Sequence, residues 1–191
     1  EVLKSPGKAQ AWVPLPAVAE PDWTQPLGNE WTSNAKSAGL VRDPKYGAQM
    51  LHVEWSEGAP APVVQIVSRI ATRDRAVDLS KAGTVPKLSD AERKLFTAAT
   101  DLMPTDGIVK STAEGIVGWV FSDVEKARRI YAWIVDNTFR NPKTRGCGIG
   151  DIASMLKTGD LSGKCADLNA LYVGLARAVG LPARDVYGIR I

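Results

Sequence analysis

The segment from Gly163 to Arg184 constrains the fold of this chain more than any other stretch. Its apolar residues recur at i, i+3, i+4, i+7, i+8 and i+11, a spacing that is typical of an amphipathic helix with one buried face. Those residues are Leu168, Leu171, Tyr172, Leu175, Ala176 and Val179. Gly180 favours a left-handed C-terminal cap, and Pro182 prevents the helix from resuming. The alternating residues of Val186 to Ile191 then predict a β-strand.

Cys165 lies in the first turn of this predicted helix, directly after a glycine and a lysine. The unpaired N–H groups and the positive end of the helix dipole favour a thiolate there, and Lys164 adds a positive neighbour. A small buried thiol at a helix start would have the same local sequence, because free cysteines are among the most buried residue types. The helix pattern by itself leaves both interpretations open. Asp167, one residue beyond the first turn, is expected to favour the dipole, with a role in orienting substrate as the alternative.

The sequence from Gly163 to Gly188 resembles the nucleophile region of the transglutaminase-like superfamily. The family pattern is Gly-x-Cys, a helix ending in Leu-x-Arg-x-x-Gly-Ile-Pro-Ala-Arg, and then a strand, with Leu181 here in place of isoleucine. The other matching residues are Leu175, Arg177, Gly180, Pro182, Ala183 and Arg184. The resemblance implies that Cys165 is the nucleophile of a papain-like Cys, His, Asp triad, without a required organic cofactor. Such a nucleophile forms a thioester with a carboxamide or peptide carbonyl and passes the acyl group to an amine or to water.

The chain departs from the family in its histidine. In the family, the catalytic histidine and aspartate follow the cysteine on later strands, but the single histidine here is His52. Its neighbours alternate as in a strand of an N-terminal domain, so we interpret His52 as structural. A lone C-terminal strand cannot satisfy its own backbone polar groups, and the preceding helix needs a sheet against its apolar face. We therefore expect a continuation of the chain or a second polypeptide to supply the sheet, the histidine and the aspartate, and this chain alone to be inactive.

Residues 1–80 are predicted to form a β-rich accessory domain that resembles a small sandwich. Strand-like segments alternate there with turns rich in glycine and proline. The predicted strands are Ala9–Pro16, Gln25–Ser33, Gly39–Arg42, Ala48–Ser56 and Val63–Thr72. Four tryptophans of this region are interpreted as core residues, with a ligand-binding aromatic patch as the alternative. They are Trp12, Trp23, Trp31 and Trp55. Trp-Val-Pro-Leu-Pro at residues 12–16 resembles the first strand of the accessory domain in bacterial members of the superfamily.

Residues 81–191 are predicted to form the helical first half of a papain-like, transglutaminase-like core, which makes the whole chain α+β. A linker is expected at residues 76–88. Ser89 and Ser122 each precede a glutamate by three residues, which is the capping-box pattern of a helix start. Helices are predicted over 89–99, 108–120, 122–138 and 151–157, with a loop over the rest of 141–164. That loop is expected to form one wall of the acyl-donor cleft, with the Cys165 N–H as an oxyanion donor.

The composition bears on the possible partners. The net charge is only +3 and the basic residues are interleaved with acidic ones, which argues against nucleic-acid binding. No apolar run approaches the roughly 20 residues that a membrane-spanning helix needs. The acidic residues show no spacing typical of metal ligands, so we assign no metal and no cofactor. The resemblance to bacterial family members favours an exported location, which the composition does not decide.

We therefore predict acyl transfer on protein or peptide carboxamides through a Cys165 thioester. The sequence does not separate crosslinking from deamidation or peptide cleavage, because all three share that thioester. One alternative is a non-catalytic binding or scaffold module that kept the fold and lost the triad. Another is a thiol redox switch between Cys147 and Cys165, which requires their Cα atoms to lie within about 7 Å of each other.

Overall fold

The computed structural model describes residues 7–20, 22–81 and 87–188. The chain divides into two compact units, a first one that contains the described residues up to Asp78 together with Gly188, and a second one that comprises Leu79–Tyr187. The first is built from strands and the second mainly from helices, so the chain is α+β. Part of the predicted linker and the last three residues of the predicted C-terminal strand lie outside the described residues.

The described residues of the first unit form five strands in two antiparallel sheets. The strands are β1 (Gln10–Pro14), β2 (Thr24–Ser33), β3 (Ser37–Arg42), β4 (Gln49–Glu54) and β5 (Val64–Thr72). One sheet has the strand order β1-β4-β3, and the other pairs β2 with β5. The bounds of each strand lie within two residues of the predicted ones. The alternation of apolar and polar residues continues only as long as every second side chain of a strand faces the core.

Residues from both sheets build the core of the first unit. Its buried members are Leu15, Leu51, Val53 and Trp55. Trp31 of β2 and Ile66 of β5 pack against these residues, so the two sheets share one apolar cluster. The Trp55 indole N–H donates to Asn34 Oδ1 at 2.7 Å, which satisfies the polar atom of this buried ring.

His52 lies in β4 opposite Trp12 of β1, and the two rings stack with their centroids 4.7 Å apart. This packing agrees with the structural interpretation of His52. Trp12 itself is 53% exposed, so the prediction that it fills the core is wrong. Its side chain lies over His52 on the face of the sheet away from Leu51 and Val53, because successive residues of a strand point to opposite faces.

The second unit contains helices and one short parallel strand pair. These elements are α1 (Asp90–Thr97), α2 (Gly107–Val117), α3 (Asp123–Asn137), β6 (Phe139–Arg140), α4 (Ile152–Thr158), β7 (Ser162–Gly163) and α5 (Cys165–Ala178). Ser89 and Glu92 form the predicted capping box of α1. The helix α2 ends three residues earlier than predicted, because Gly118 adopts a positive φ of 56°. No helix in the described ranges combines the length and the apolar character needed to cross a bilayer.

The capping box predicted at Ser122 is only half formed. Ser122 Oγ accepts a hydrogen bond from the Glu125 N–H at 3.4 Å. The Glu125 carboxylate does not return to Ser122, because it accepts hydrogen bonds from Arg128 and Arg129. These two guanidinium groups lower the pKa of Glu125 to about 2.

The helix α5 runs through the core of the second unit, with α2, α3 and α4 packed against it. The buried cluster comprises Val109, Ala113, Val117, Ile130, Ile152, Ala170, Leu171, Leu175, Ala176 and Leu181. On α3, the helical period places Tyr131 and Val135 on the same apolar face as Ile130, yet Ile130 is fully buried and the other two are exposed. The neighbouring helices therefore cover a narrower stripe of α3 than its apolar pattern predicts.

Backbone pairing differs from prediction at two places. The pair β6 and β7 interrupts the predicted loop, and the Asn141 N–H donates to the Gly163 carbonyl at 2.8 Å. The predicted C-terminal strand is wrong over Val186 to Gly188, which are not in a strand. No strand lies beside them among the described residues, and a strand forms only against a partner.

Candidate active site

Cys165 is the first residue of α5, directly after the N-cap Lys164. Its side chain is exposed and carries a free thiol, so the buried-thiol interpretation is wrong. The Cys165 N–H belongs to the unpaired first turn of α5 and makes no hydrogen bond to the described residues. It is therefore available to donate to an oxygen bound beside the thiol. Lys164 Nζ donates to the Thr144 carbonyl at 2.6 Å, which ties the N-cap to the preceding loop.

The Asp167 carboxylate organises the backbone around Cys165. Its Oδ1 accepts hydrogen bonds from the N–H groups of Ile149 and Gly150, both at 2.9 Å, and its Oδ2 accepts from the Lys164 N–H at 2.9 Å. Asp167 is only 8% exposed and lies in the first turn of α5, not beyond it as expected. Its carboxylate therefore clamps the 147–150 loop to the start of α5, a role that neither expectation for this residue included.

Two glycines make room for this carboxylate. A Cβ atom on Gly148 would overlap the Asp167 carboxylate, and a Cβ on Gly163 would lie within 3 Å of the same side chain. Gly148 also has a positive φ of 97°, which side-chain-bearing residues rarely adopt. The glycine-rich run 146–150 is the sequence signal that could have indicated a tight backbone approach here.

We expect Gly148→Ala to destabilise the second unit more than Gly146→Ala. Both glycines have a positive φ, so each alanine adds a backbone strain of about 1–2 kcal/mol. Only Gly148 faces Asp167, and displacing that carboxylate should add about 1–3 kcal/mol to the loss in unfolding free energy. Urea unfolding of the two variants measures this difference. Equal losses would contradict the packing of Gly148 against Asp167.

Cys147 lies next to the start of α5. The Ala166 N–H, on the peptide bond that follows Cys165, donates to the Cys147 carbonyl at 2.8 Å. Cys147 is exposed and carries a free thiol, like Cys165. The structure thus brings together the start of α5, the 147–150 loop and both cysteines of the chain.

A groove of about 380 Å³ runs along α5 from the first helical turn after Cys165. One wall consists of Asn169, Tyr172 and Val173, and residues 182–187 form the other. The Asn169 side chain donates to the Cys165 carbonyl at 2.7 Å, so the groove begins one helical turn after the cysteine. Burial raises the pKa of Tyr187, and negative charge on Asp185, Cys147, Cys165 and Asp167 raises it further.

Arg177 supports the second wall of this groove from inside. Arg177 is 5% exposed, and its guanidinium donates through Nε to the Ala183 carbonyl at 2.9 Å and through Nη1 to the Ala98 carbonyl at 3.0 Å. The bonds join the C-terminal half of α5 to the segment after α1 and to the start of the groove wall. Arg184 of the same wall lies over the Phe96 ring, 5.4 Å from its centroid.

The second unit contains no histidine, since the single histidine of the chain is in β4 of the first unit. The second unit therefore contains a candidate nucleophile, a candidate oxyanion donor and a groove one helical turn away, without an imidazole base.

Comparison with known proteins gives three matches. Residues 110–191 match the family model described as the transglutaminase-like superfamily. An uncharacterized protein from Haemophilus influenzae is 36% identical over 192 aligned positions, which cover 98% of this chain and 52% of that protein. This chain thus spans about half the length of that relative.

The third match is a crystal structure from Cytophaga hutchinsonii, described as a candidate cysteine protease. It aligns with a TM-score of 0.67 over 92% of this chain and 60% of its own, at 14% sequence identity. At that identity the likeness concerns the fold. The superfamily is in general a cysteine-dependent catalytic family, and Cys165 falls within the matched residues. Residues 110–191 of this chain are therefore similar to the transglutaminase-like superfamily.

Proposed function

We propose that Cys165 is the nucleophile of a cysteine-dependent acyl transfer on protein or peptide carboxamides. The exposure of its free thiol at the first residue of α5 carries this proposal. The helix dipole stabilises a thiolate at that position, and the thiolate is the reactive form of the side chain. The groove along α5 begins one helical turn from Cys165 and offers a surface for the substrate segment that carries the carbonyl.

The proposed reaction has two steps. The Cys165 thiolate adds to the carbonyl carbon, and the Cys165 N–H donates to the oxyanion that forms. Collapse of this intermediate expels the amine and leaves a thioester, which a second amine or water then cleaves. Proton transfer requires a base, which we assign to a histidine, oriented by an aspartate, in a region absent from this chain.

In this proposal, residues 1–80 are an accessory domain and residues 81–191 are the part of the catalytic core that carries the nucleophile. The description of the structural neighbour as a candidate cysteine protease supports water as one acceptor. The superfamily match supports an amine as another. The first step is the same for both.

We expect iodoacetamide to alkylate Cys165 faster than Cys147 in the folded chain. Both thiols are exposed, but only Cys165 lies at the N-terminus of a long helix, where the dipole favours the thiolate. A dipole contribution of about 0.3–1 kcal/mol corresponds to a roughly two- to fivefold difference in alkylation rate. Mass spectrometry of tryptic peptides at short labelling times measures both rates in one sample.

Two controls accompany this experiment. In concentrated urea the two rates should converge, because the helix dipole is lost, and Cys165→Ser should remove only the faster label. Equal rates in the folded chain would reject an activated Cys165. That result would instead support a non-catalytic binding module that kept the fold.

A further inference from the structure

The two cysteines of this chain lie within reach of each other across the start of α5. They are 18 positions apart in sequence, yet the Ala166 N–H donates to the Cys147 carbonyl at 2.8 Å. That N–H is on the peptide bond formed by the Cys165 carbonyl carbon. The hydrogen bond therefore joins the backbones of the two cysteines directly.

Peptide geometry limits how far apart the two Cα atoms can be. Standard bond lengths place the Cys165 Cα about 2.4 Å from the donor nitrogen and the Cys147 Cα about 2.4 Å from the acceptor oxygen. With an N–H···O angle of at least about 120°, the two Cα atoms lie at most about 7 Å apart, and a linear bond brings them to about 6 Å or less. Disulfides most often have Cα separations of about 5.5–6 Å, with an upper limit near 7 Å.

The surroundings hold Cys147 in this position and keep both thiols accessible. Asp167 accepts hydrogen bonds from the N–H groups of Ile149 and Gly150, which anchors the loop two residues after Cys147. Both cysteines are exposed and free.

We propose that Cys147 is a resolving cysteine that forms a reversible disulfide with Cys165 when hydrogen peroxide oxidises the protein. The Cys165 thiolate attacks a peroxide oxygen, which breaks the O–O bond and gives a sulfenic acid and, after protonation, water. The Cys147 thiolate then attacks that sulfur and displaces hydroxide, which takes up a proton to form a second water. The two thiols together lose two electrons to the peroxide, and one S–S bond replaces two S–H bonds.

This disulfide masks the thiol of Cys165 and protects it from irreversible oxidation to the sulfinic and sulfonic acids. The effect on catalysis rests on the proposed function of Cys165, whereas formation of the bond does not. A dithiol reductant restores both thiols by exchange.

The test is oxidation of the full chain with hydrogen peroxide, followed by alkylation, tryptic digestion without reduction, and mass spectrometry. Trypsin cleaves after Arg145, Lys157, Lys164 and Arg177, so the two cysteines fall in separate peptides, 146–157 and 165–177. We expect these peptides to be recovered as one linked species, with loss of both iodoacetamide labels and their full return after dithiothreitol. Cys147→Ser should instead give sulfinic or sulfonic acid on Cys165, with no recovery by dithiothreitol.

Overoxidised Cys165 in the wild-type chain without the linked peptide would overturn the proposal, as would a disulfide found only between two chains. The result is separate from the test of the proposed function. Equal alkylation rates of the two reduced thiols would reject the activated nucleophile and leave the linked peptide as a finding of its own.

Discussion

Asp167→Ala is expected to reduce the unfolding free energy of the second unit by about 3–5 kcal/mol. The substitution leaves three backbone N–H groups without their acceptor, those of Ile149, Gly150 and Lys164. These groups lie where the loop meets α5, and Asp167 is almost fully buried, so water replaces the carboxylate poorly. Hydrogen-exchange mass spectrometry should show lost protection in the peptide 146–157, with the strands of the first unit as an internal reference.

Asp151→Ala is the matched control for this prediction. Asp151 is also an aspartate at a helix start, where its carboxylate accepts hydrogen bonds from the Ser154 N–H at 3.0 Å and from the Ser154 hydroxyl at 2.7 Å. Because these bonds are exposed, removal of the Asp151 carboxylate should lower the unfolding free energy by only about 1 kcal/mol. A loss of similar size in both variants would show that Asp167 is an ordinary helix cap and does not clamp the loop.

Arg177→Ala is expected to destabilise the second unit by about 3 kcal/mol, because hydrogen bonds from a buried charged group are worth about 1.5–3 kcal/mol each. The guanidinium donates to the carbonyls of Ala98 and Ala183 through two different nitrogen atoms. Arg177→Lys should recover little of this loss, since one ammonium group lacks the planar fork that reaches both acceptors. Urea unfolding, monitored through the helix signal in circular dichroism, measures the unfolding free energies of the wild-type chain and of the two variants.

Arg129→Ala is the control for Arg177. Arg129 Nη1 donates to the Val117 carbonyl at 2.9 Å, so the type of bond is the same, but the Arg129 side chain is 42% exposed. Water can replace a bond at that exposure, and we expect a loss of about 1 kcal/mol or less. If Arg177→Ala were no more disruptive than Arg129→Ala, the bonds from Arg177 would not hold the groove wall.

Both side chains connect the stability of the second unit with its candidate site. Asp167 holds the loop that carries Cys147 next to Cys165, and Arg177 holds the segment that lines the groove. A partial loss of either contact should therefore change the alkylation ratio of the two cysteines before the unit unfolds.

Local patterns were sufficient to predict most elements. The spacing of Leu168, Leu171 and Leu175 predicts α5, and the pair Ser89 and Glu92 predicts the start of α1. Alternation likewise predicts all five strands of the first unit. Each of these signals is contained within one element, because the period of a helix or strand decides which of its own side chains face the core.

The hydrogen-bond partners of individual side chains and the burial of individual apolar residues were not predictable in the same way. Glu125 has the position of a capping-box residue, but its carboxylate prefers two arginines on the next turn of α3. The apolar pattern of α3 includes Tyr131, yet α2 and α5 do not cover it. In both cases several partners fit the local sequence equally well, and packing in three dimensions selects among them.

The sequence by itself determined that Cys165 begins a buried helix, that Gly180 ends the helix, and that a β-rich region precedes the helical one. Only the tertiary structure decided that Asp167 binds a loop 17 and 18 residues before it, that Arg177 reaches a carbonyl 79 residues away, and that Cys147 lies next to Cys165. The physical reason is that these contacts end on backbone N–H and C=O groups. Every residue type except proline carries both, so the sequence holds no mark of which distant backbone group a buried side chain will meet.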